Sequence, residues 1–264
     1  MFDLQLTDHA NRLHLQVTDE LSVGPPGNVF LFGGVGHAAA IKALKQVTGR
    51  EIIWSTAQFS SFARRGACLD LEVEVKTAGY NTTQAQVVAT CEGAVVFTVL
   101  AALGERPGQP IHQWPELPRA PQPDACAAAP IWPRQDGAFH KRLDLRLIGG
   151  AGPVDLGDGP DPTGKLLLWA RALEDLPVDA SQLAIFADLV PAGVASAFGR
   201  KAGGNSLDNT LRIAELVPTR WVLCEVSVLA VRRGFAHGEI RMFAEDGTLM
   251  GVGSQSLVMR LLDE

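Results

Sequence analysis

Three polar residues late in the chain, Asp208, Ser227 and Gln255, interrupt segments that otherwise have the composition of strands. A carboxylate can accept a proton, while a hydroxyl and an amide can hold a small molecule by hydrogen bonds. Asp208 follows the glycines of "GGNS" and opens a segment that we predict to be a buried strand. A buried carboxylate without a partner is costly, so Gln255 and Ser227 are candidate partners for it. An ordinary role stays open for each residue, namely capping of a solvated turn for Asp208 and exposure on an alternating strand for the other two.

The spacing of apolar residues predicts a helix followed by antiparallel strands, and it does so twice. In "VGHAAAIKALKQVTG" (35–49), apolar residues recur at intervals of three and four, and Gly49 suits the position after a helix end. Residues 179–199 form the second predicted helix, with Asp179 as its N-cap and Gly199 near its end. Strands are predicted for "EIIWSTAQFSSF", "CLDLEVEV", "TTQAQVVATCE", "AVVFTVLAAL", "KRLDLRLIGG", "GKLLLWARAL", "SLDNTLRIAEL", "WVLCEVSVLAV" and "GEIRMFAEDGTLMGVGSQSLVMRLL".

Landmarks in the two halves align at a separation of 154 or 155 positions, which predicts an internal duplication and an α+β fold. The matched pairs are Ala78-Gly79-Tyr80 with Arg233-Gly234-Phe235, Glu92-Gly93 with Asp246-Gly247, and Arg65 with Arg220. At the same separation, the first half holds Ile53, Glu72 and Ala101 where the second half holds Asp208, Ser227 and Gln255. Polar residues that the fold itself required would be present in both halves, so these three are candidates for function.

A proline-rich segment separates the two halves. Residues 105–135 contain eight prolines and are typical of an extended connection that does not fold alone. We therefore predict an N-terminal domain at 1–104, a linker at 105–138, and a C-terminal domain at 139–264 that carries the three polar residues.

Bulk properties exclude several classes of protein. A formal charge of −6 and a pI near 5.5 argue against nucleic acid as a partner. The four cysteines have no metal-ligand spacing, so we predict reduced thiols and neither a metal nor a cofactor. The first residues lack the pattern of a signal peptide, and we expect no stretch to approach the roughly 20 apolar residues of a membrane span. Cytoplasmic location without membrane insertion is the resulting expectation.

Several of these motifs together resemble the acyl-CoA thioesterase II family. They are "FLFGGVGHAAAIKAL" near the start, then Ser-Leu-Asp, Arg-Gly-Phe-x-x-Gly-Glu, Asp-Gly-x-Leu and the closing Ser-Gln-Ser-x-Val-Met-Arg. The resemblance covers about residues 25–105 and 165–262. It implies a double hotdog fold, in which two antiparallel sheets each wrap around a central helix, and it implies a homo-oligomer.

The resemblance also implies an activity, the hydrolysis of an acyl-CoA thioester to a free acid and CoA in fatty acid metabolism. In that family a carboxylate, a hydroxyl and an amide hold the hydrolytic water, which assigns these roles to Asp208, Ser227 and Gln255. For the hydroxyl, counting back from Arg233-Gly234 gives Ser227, whereas counting forward from Trp221 gives Leu229, which has no hydroxyl. We further expect backbone N–H groups at Gly33 and Gly34, at the start of the first helix, to bind the thioester oxygen.

Other functions remain as alternatives. One is a hotdog hydratase or dehydratase, although that chemistry favours a His paired with the Asp, and here Asn209 follows Asp208. Another is a protein that binds acyl-CoA without hydrolysing it. A dinucleotide fingerprint at Gly34-Val35-Gly36-His37-Ala38-Ala39 is disfavoured, because a series of antiparallel strands follows it instead of alternating strands and helices.

Overall fold

The structure, a computed structural model, describes residues 1–25, 27–129, 139–149, 163–174, 176–199 and 202–261. Its α-helices are α1 (Gly33–Thr48), α2 (Ala180–Ala187) and α3 (Val190–Phe198). Its strands are β1 (Gln5–Leu6), β2 (Arg12–Gln16), β3 (Ser22–Val23), β4 (Phe30–Leu31), β5 (Ile52–Phe59), β6 (Cys68–Ala78), β7 (Thr82–Cys91), β8 (Ala94–Gly104), β9 (Ala127–Ala128), β10 (Leu143–Gly149), β11 (Lys165–Ala172), β12 (Ala202–Ser206), β13 (Asp208–Ile213), β14 (Val222–Arg232), β15 (Phe235–Ala244) and β16 (Leu249–Leu261).

All strands except β3 and β4 belong to one antiparallel sheet of 14 strands. Its order is β1-β2-β6-β7-β8-β5-β13-β16-β15-β14-β11-β10-β9, with β12 paired to β16. The expectation of two separate sheets is therefore wrong for the described residues. The two halves join because β5 pairs with β13, with Asp208 opposite Gln58 and Arg212 opposite Trp54. Outward from this junction the order is β5-β8-β7-β6 on one side and β13-β16-β15-β14 on the other.

Helix α1 forms as its apolar spacing predicts, with two additional residues at its start. Its inward face consists largely of small residues, and Ala38, Ala39, Ala40 and Ala43 are completely buried. Gly49 ends the helix with φ of 66°, a left-handed conformation that glycine adopts without steric cost. The short side chains allow α1 to lie close both to the sheet and to α2.

The second predicted helix is interrupted, so the expectation of one continuous helix is corrected to α2 and α3. Pro191 explains the break, since its ring lacks an N–H and clashes with the carbonyl of Ala187, four residues earlier. The two residues between the helices are Asp188 and Leu189. Both predicted ends are confirmed: Asp179 caps α2, and Gly199 ends α3 with φ of 55°.

The stretch Ala180–Phe198 corrects the expectation that no segment is long and apolar enough to span a membrane. Its 19 residues meet that criterion by length and composition. In the 18-residue window that meets the criterion, 78% of the residues are buried inside the protein, where α2 and α3 pack on the sheet. The high apolar content is therefore accounted for by the core of this fold.

The proline-rich segment packs on the C-terminal half of the sheet. Gln113 accepts a hydrogen bond from Leu249 N, and Trp169 Nε1 donates to the Pro121 carbonyl at 2.9 Å. Leu117 and Ala120 cover a second apolar cluster of Cys126, Trp169, Trp221, Leu223, Phe243 and Leu249. Residues 130–138 of the predicted linker lie outside the described residues, and the domain boundaries stay a prediction. All four cysteines are free thiols.

The cap at Asp179 yields a stability prediction. Asp179 Oδ1 accepts hydrogen bonds from Gln182 N at 2.9 Å and from Ser181 Oγ at 2.6 Å. Asp179→Ala removes both bonds, so we expect the free energy of unfolding to fall by about 1 kcal/mol. Asp179→Asn keeps an acceptor oxygen and should stay close to the wild type. Urea denaturation measures both values, and equal stability of the alanine and asparagine variants would show that the cap contributes nothing.

Candidate functional site

A buried carboxylate lies at the start of α1, and it belongs to Asp188 at the break between α2 and α3. Asp188 Oδ2 accepts a hydrogen bond from Gly34 N at 2.6 Å, across the boundary between the two halves of the chain. A helix N-terminus carries unsatisfied N–H donors and a partial positive charge, and both stabilise a carboxylate placed there. The break at Pro191 thus leaves an acidic residue at the end of α2 that reaches the start of α1.

The two glycines at the start of α1 allow this approach. A Cβ on Gly34 would lie 2.9 Å from the Ile185 Cα, and a Cβ on Gly33 would lie 2.9 Å from Asp188 Oδ2. The sequence analysis expects the N–H groups of Gly33 and Gly34 to bind the thioester oxygen, and in the structure α2 with Asp188 lies against both glycines. The Gly34 N–H is therefore engaged by Asp188, whereas among the described residues no acceptor bonds the Gly33 N–H.

Gln255 joins the same cluster from the sheet. Its buried side chain projects from β16, and Nε2 donates a hydrogen bond to Asp188 Oδ1 and another to Ser206 Oγ at 2.8 Å. Ser206 Oγ in turn donates to Asp188 Oδ1 at 3.3 Å. A carboxylate, an amide and a hydroxyl thus meet at the N-terminus of a helix, but two of the three differ from the residues that the sequence suggested.

Burial raises the pKa of Asp188 to about 6, because the charged form loses its hydration. Hydrogen bonds from Gln255, from Gly34 N and from Ser206 act in the opposite direction and limit the rise. A carboxyl group with a pKa near 6 can both accept and release a proton close to neutral pH. Perturbed acids of this kind are concentrated at functional sites.

Two buried acceptor oxygens in this region have no donor among the described residues. They are Gln255 Oε1 and Asn209 Oδ1. Thr210 on β13 pairs with Ser254 on β16, and the strands are antiparallel. Asn209, which precedes Thr210, and Gln255, which follows Ser254, are therefore neighbours on these two strands. Asn209 Nδ2 donates to the Ala184 carbonyl at 3.4 Å, which directs this side chain toward α2. Buried acceptors are normally paired, and the O–H groups of water or a substrate could pair these two.

His37 on α1 is also buried and titratable. Its Nε2 lies 2.8 Å from Ser55 Oγ, and burial lowers the pKa of the imidazole to about 3. His37 is therefore neutral at physiological pH and supplies no charge to Asp188.

Asp208 occupies a different environment. Its Oδ1 accepts a hydrogen bond from Ser256 N at 2.8 Å, where Leu207 N pairs with the Ser256 carbonyl. The carboxylate thus takes the place of a backbone acceptor at the irregularity between β12 and β13. Successive side chains on a strand point to opposite faces of the sheet. The side chain of Asp208 therefore lies on the face opposite to that of Asn209, which faces α2.

Ser227 also lies on the face of the sheet opposite to Gln255. It pairs with Glu239, and Glu239 pairs with Ser254, whereas Gln255 pairs with Gly238. Alternation therefore places the side chains of Ser227 and Gln255 on opposite faces. The contacts of the described residues do not join Asp208, Ser227 and Gln255 into one cluster, and their catalytic roles stay a prediction.

The sequence reasoning missed Asp188 and Ser206. A usable signal was present for Asp188, which is the one charged residue between Ala180 and Phe198 and precedes Pro191 by three positions. A charge inside an apolar helix that must be buried requires partners. Ser206 belongs to the Ser-Leu-Asp motif, in which only the aspartate was assigned. Within the described part of the chain, no group of three or more His, Cys, Asp or Glu residues could hold a metal ion.

Comparison with known proteins relates this geometry to a family. Residues 123–259 match the family described as acyl-CoA thioesterase C-terminal domain. A proposed thioesterase from Novosphingobium aromaticivorans DSM 12444 is 36% identical, with a TM-score of 0.88 over 99% of this chain and 98% of that chain. No curated protein matches the chain.

Two further solved structures share the fold at 20% identity. A conserved protein of unknown function with a hot dog fold from Alicyclobacillus acidocaldarius has a TM-score of 0.85 and covers 99% of this chain and 97% of that chain. The acyl-CoA thioesterase II TesB2 from Mycobacterium marinum has a TM-score of 0.77 with the same coverage. The large antiparallel sheet with few helices is thus a hotdog fold, and the chain belongs to the acyl-CoA thioesterase family, a family of thioester hydrolases.

Proposed function

We propose that this protein hydrolyses an acyl-CoA thioester to a carboxylic acid and free CoA, with the attacking water held beside Gln255. One observation carries the location of the site: the buried Gln255 amide contacts a buried carboxylate at the N-terminus of α1. Family membership supports the reaction, and this cluster provides the groups that the reaction needs.

The chemistry requires a place for water and donors for the thioester oxygen. Gln255 Oε1 is an acceptor for one water hydrogen, which fixes the orientation of the water. As water attacks, the carbonyl oxygen gains negative charge, and in this proposal the Gly33 N–H at the helix start stabilises it. A donor of this kind typically contributes about 3 kcal/mol to lowering the barrier.

Asp208 and Ser227 are proposed as the other two ligands of the water on the strength of the family resemblance. For Asp208, the resemblance is the support, because its hydrogen bond to Ser256 N lies on the side of the strand away from Asn209 and α2. For Ser227, the resemblance alone supports the proposal.

Further properties are proposed on the same basis. The shared order of strands outward from the junction between β5 and β13 supports a duplicated hotdog. A cytoplasmic location, a role in fatty acid metabolism and assembly into a homo-oligomer rest on the sequence reasoning alone.

The reaction predicts release of free thiol. Purified protein incubated with a panel of acyl-CoA thioesters of different chain length should release CoA, detected with a thiol reagent. Saturable binding without thiol release would instead favour an acyl-CoA binding protein. Loss of an enoyl chromophore, or its formation, without thiol release would favour a hydratase or dehydratase.

Gln255→Ala should lower kcat by about 100-fold, because the water loses an orienting acceptor and the carboxylate loses a donor. Ser256→Ala is a matched control on the same strand, since its exposed hydroxyl contacts His237 and not the cluster. Steady-state kinetics with the best thioester measures both variants. Similar kcat values for Gln255→Ala and the wild type would remove Gln255 from the site.

Asp208→Asn and Ser227→Ala test the other two proposed ligands. If they bind the water, each variant should lose at least about tenfold in kcat while KM changes little. Circular dichroism and thermal melting report whether each variant is folded. Wild-type turnover in a folded variant would exclude that residue from the mechanism.

A further inference from the structure

We infer that Phe30 and Phe62, together with the guanidinium of Arg64, form the site that binds the adenine ring and the phosphate groups of CoA. This inference rests on the proposed function, from which it takes acyl-CoA as the ligand, and it assigns a surface to the part of the substrate that does not react. Three observations carry it: an exposed aromatic pair, a cation beside the pair without a carboxylate partner, and the position of both next to the start of α1.

The aromatic pair of Phe30 and Phe62 has apolar surface that the core does not use. The centroids of the two rings lie 4.8 Å apart, and their planes are inclined by 53°. Phe30 packs on the main hydrophobic core, whereas Phe62 is 55% exposed. The part of a ring that faces water adds nothing to the stability of the fold, but it can stack on a flat heterocycle such as adenine.

Arg64 places a positive charge beside this pair. Phe30 and Arg64 lie directly opposite each other in an antiparallel bridge, an arrangement that puts their side chains on the same face. Phe62 precedes Arg64 by two positions, and residues two apart in an extended segment also share a face. The three side chains therefore project from one surface.

The guanidinium of Arg64 keeps donors that a phosphate can use. Nη1 donates to the neutral Asn28 Oδ1 at 3.3 Å, and no carboxylate in the part of the chain that the structure describes pairs with it. The next residue differs, because Arg65 Nη1 lies 2.8 Å from Asp19 Oδ1. An exposed guanidinium with free N–H groups can bind a phosphate through two parallel hydrogen bonds.

Two segments of chain lead from the start of α1 to this pair. Phe30 precedes Gly33, the first residue of α1, by three positions, so the two Cα atoms are at most about 11 Å apart. Phe59 lies at the same point, since its Cζ would be 3.3 Å from a Cβ on Gly33, and Phe62 follows it by three positions. A thioester bound at Gly33 would therefore have the pair within reach of the long pantetheine arm that joins its sulfur to the nucleotide.

The charge of the ligand makes a local cation necessary. CoA carries a diphosphate and a 3′-phosphate, whereas the protein has a formal charge of −6. At physiological ionic strength, exposed charges further apart than about 8 Å are largely screened from each other. A guanidinium in contact with a phosphate therefore outweighs the unfavourable net charge.

Matched control residues lie at the opposite end of α1. Tyr80 is 97% exposed, and its carbonyl accepts a hydrogen bond from Arg50, two residues after the helix ends. Arg106 is exposed and follows Gly104, whose N–H donates to the Glu51 carbonyl. Because a helix of 16 residues is about 24 Å long, both controls are remote from the start of α1.

The first test is the binding of a non-hydrolysable acyl-CoA thioether, measured by calorimetry. Phe62→Ala and Arg64→Ala should each raise the Kd by about tenfold, through loss of stacking and of a charge-assisted hydrogen bond respectively. Tyr80→Ala and Arg106→Ala should keep the wild-type Kd. Phe62→Trp should restore binding, and added salt should narrow the difference between the wild type and Arg64→Ala but not that between the wild type and Phe62→Ala. Thermal melting reports whether each variant is folded.

The second test compares two substrates in steady-state kinetics. With acyl-CoA, both variants should show a KM raised by about tenfold and a kcat close to the wild type, since the contacts act on the nucleotide and not on the reacting atoms. With the same acyl group on pantetheine, which lacks the nucleotide, both should match the wild type in kcat/KM. A variant with general structural damage would instead lose activity on both substrates.

The outcomes separate this inference from the proposed function. A wild-type Kd in folded Phe62→Ala or in folded Arg64→Ala would overturn the inference, whatever the activity of the protein. An equal loss of kcat/KM on acyl-CoA and on the pantetheine thioester would overturn it as well. If the wild type binds the thioether through these residues but releases no thiol from any acyl-CoA, the hydrolysis proposal fails and the CoA site is supported.

Discussion

The hydrogen bond from Gly34 N to Asp188 connects the two halves of this protein at the point where chemistry is proposed. It places the carboxylate of Asp188, which lies between α2 and α3, at the unsatisfied N–H groups of α1. A carboxylate in the core is stable only with such partners, so the geometry of both helices is constrained together. The same arrangement gives a site with contributions from both halves: the helix N-terminus comes from the first, and the acid and amide come from the second.

Other features of the fold support that contact. Gly33 and Gly34 have no side chains, so α2 can lie close to α1. Pro191 interrupts the helix just after Asp188, and the Asp188 carboxylate contacts the start of α1. The pairing of β5 with β13 brings the two helices together on one side of a continuous sheet. Gln255 completes the cluster from β16, and its amide is oriented by Asp188 and Ser206. Residues far apart in the chain therefore form a single buried network.

Local patterns in the sequence predicted local structure well. Alternation identified the long strands, and Asp179, Gly49 and Gly199 marked helix ends, because caps depend on a few neighbouring residues. The joining of the sheets was not predictable in this way, since the pairing of β5 with β13 links residues about 150 positions apart. Of the residues that the sequence suggested for the site, Gln255 and the two glycines lie in the cluster around Asp188. Asp188 itself was passed over, because the comparison of halves by fixed offset examined only strand positions. A single charge in an apolar helix, followed by proline, was the overlooked signal.

The central claim is that a buried Asp188 carboxylate carries a raised pKa, and the pH dependence of stability tests it without any substrate. Because the folded-state pKa of about 6 exceeds the ordinary value of 3.8, the folded protein holds the proton more tightly, and this stabilisation is lost as pH rises through 6. The free energies of unfolding of the wild type and of Asp188→Asn should be measured in urea between pH 4 and 7. We predict that the wild type loses stability relative to the variant by about 1.4 kcal/mol per pH unit between pH 4 and 6, with a constant difference above that range. Two curves that run parallel across the whole range would contradict the account.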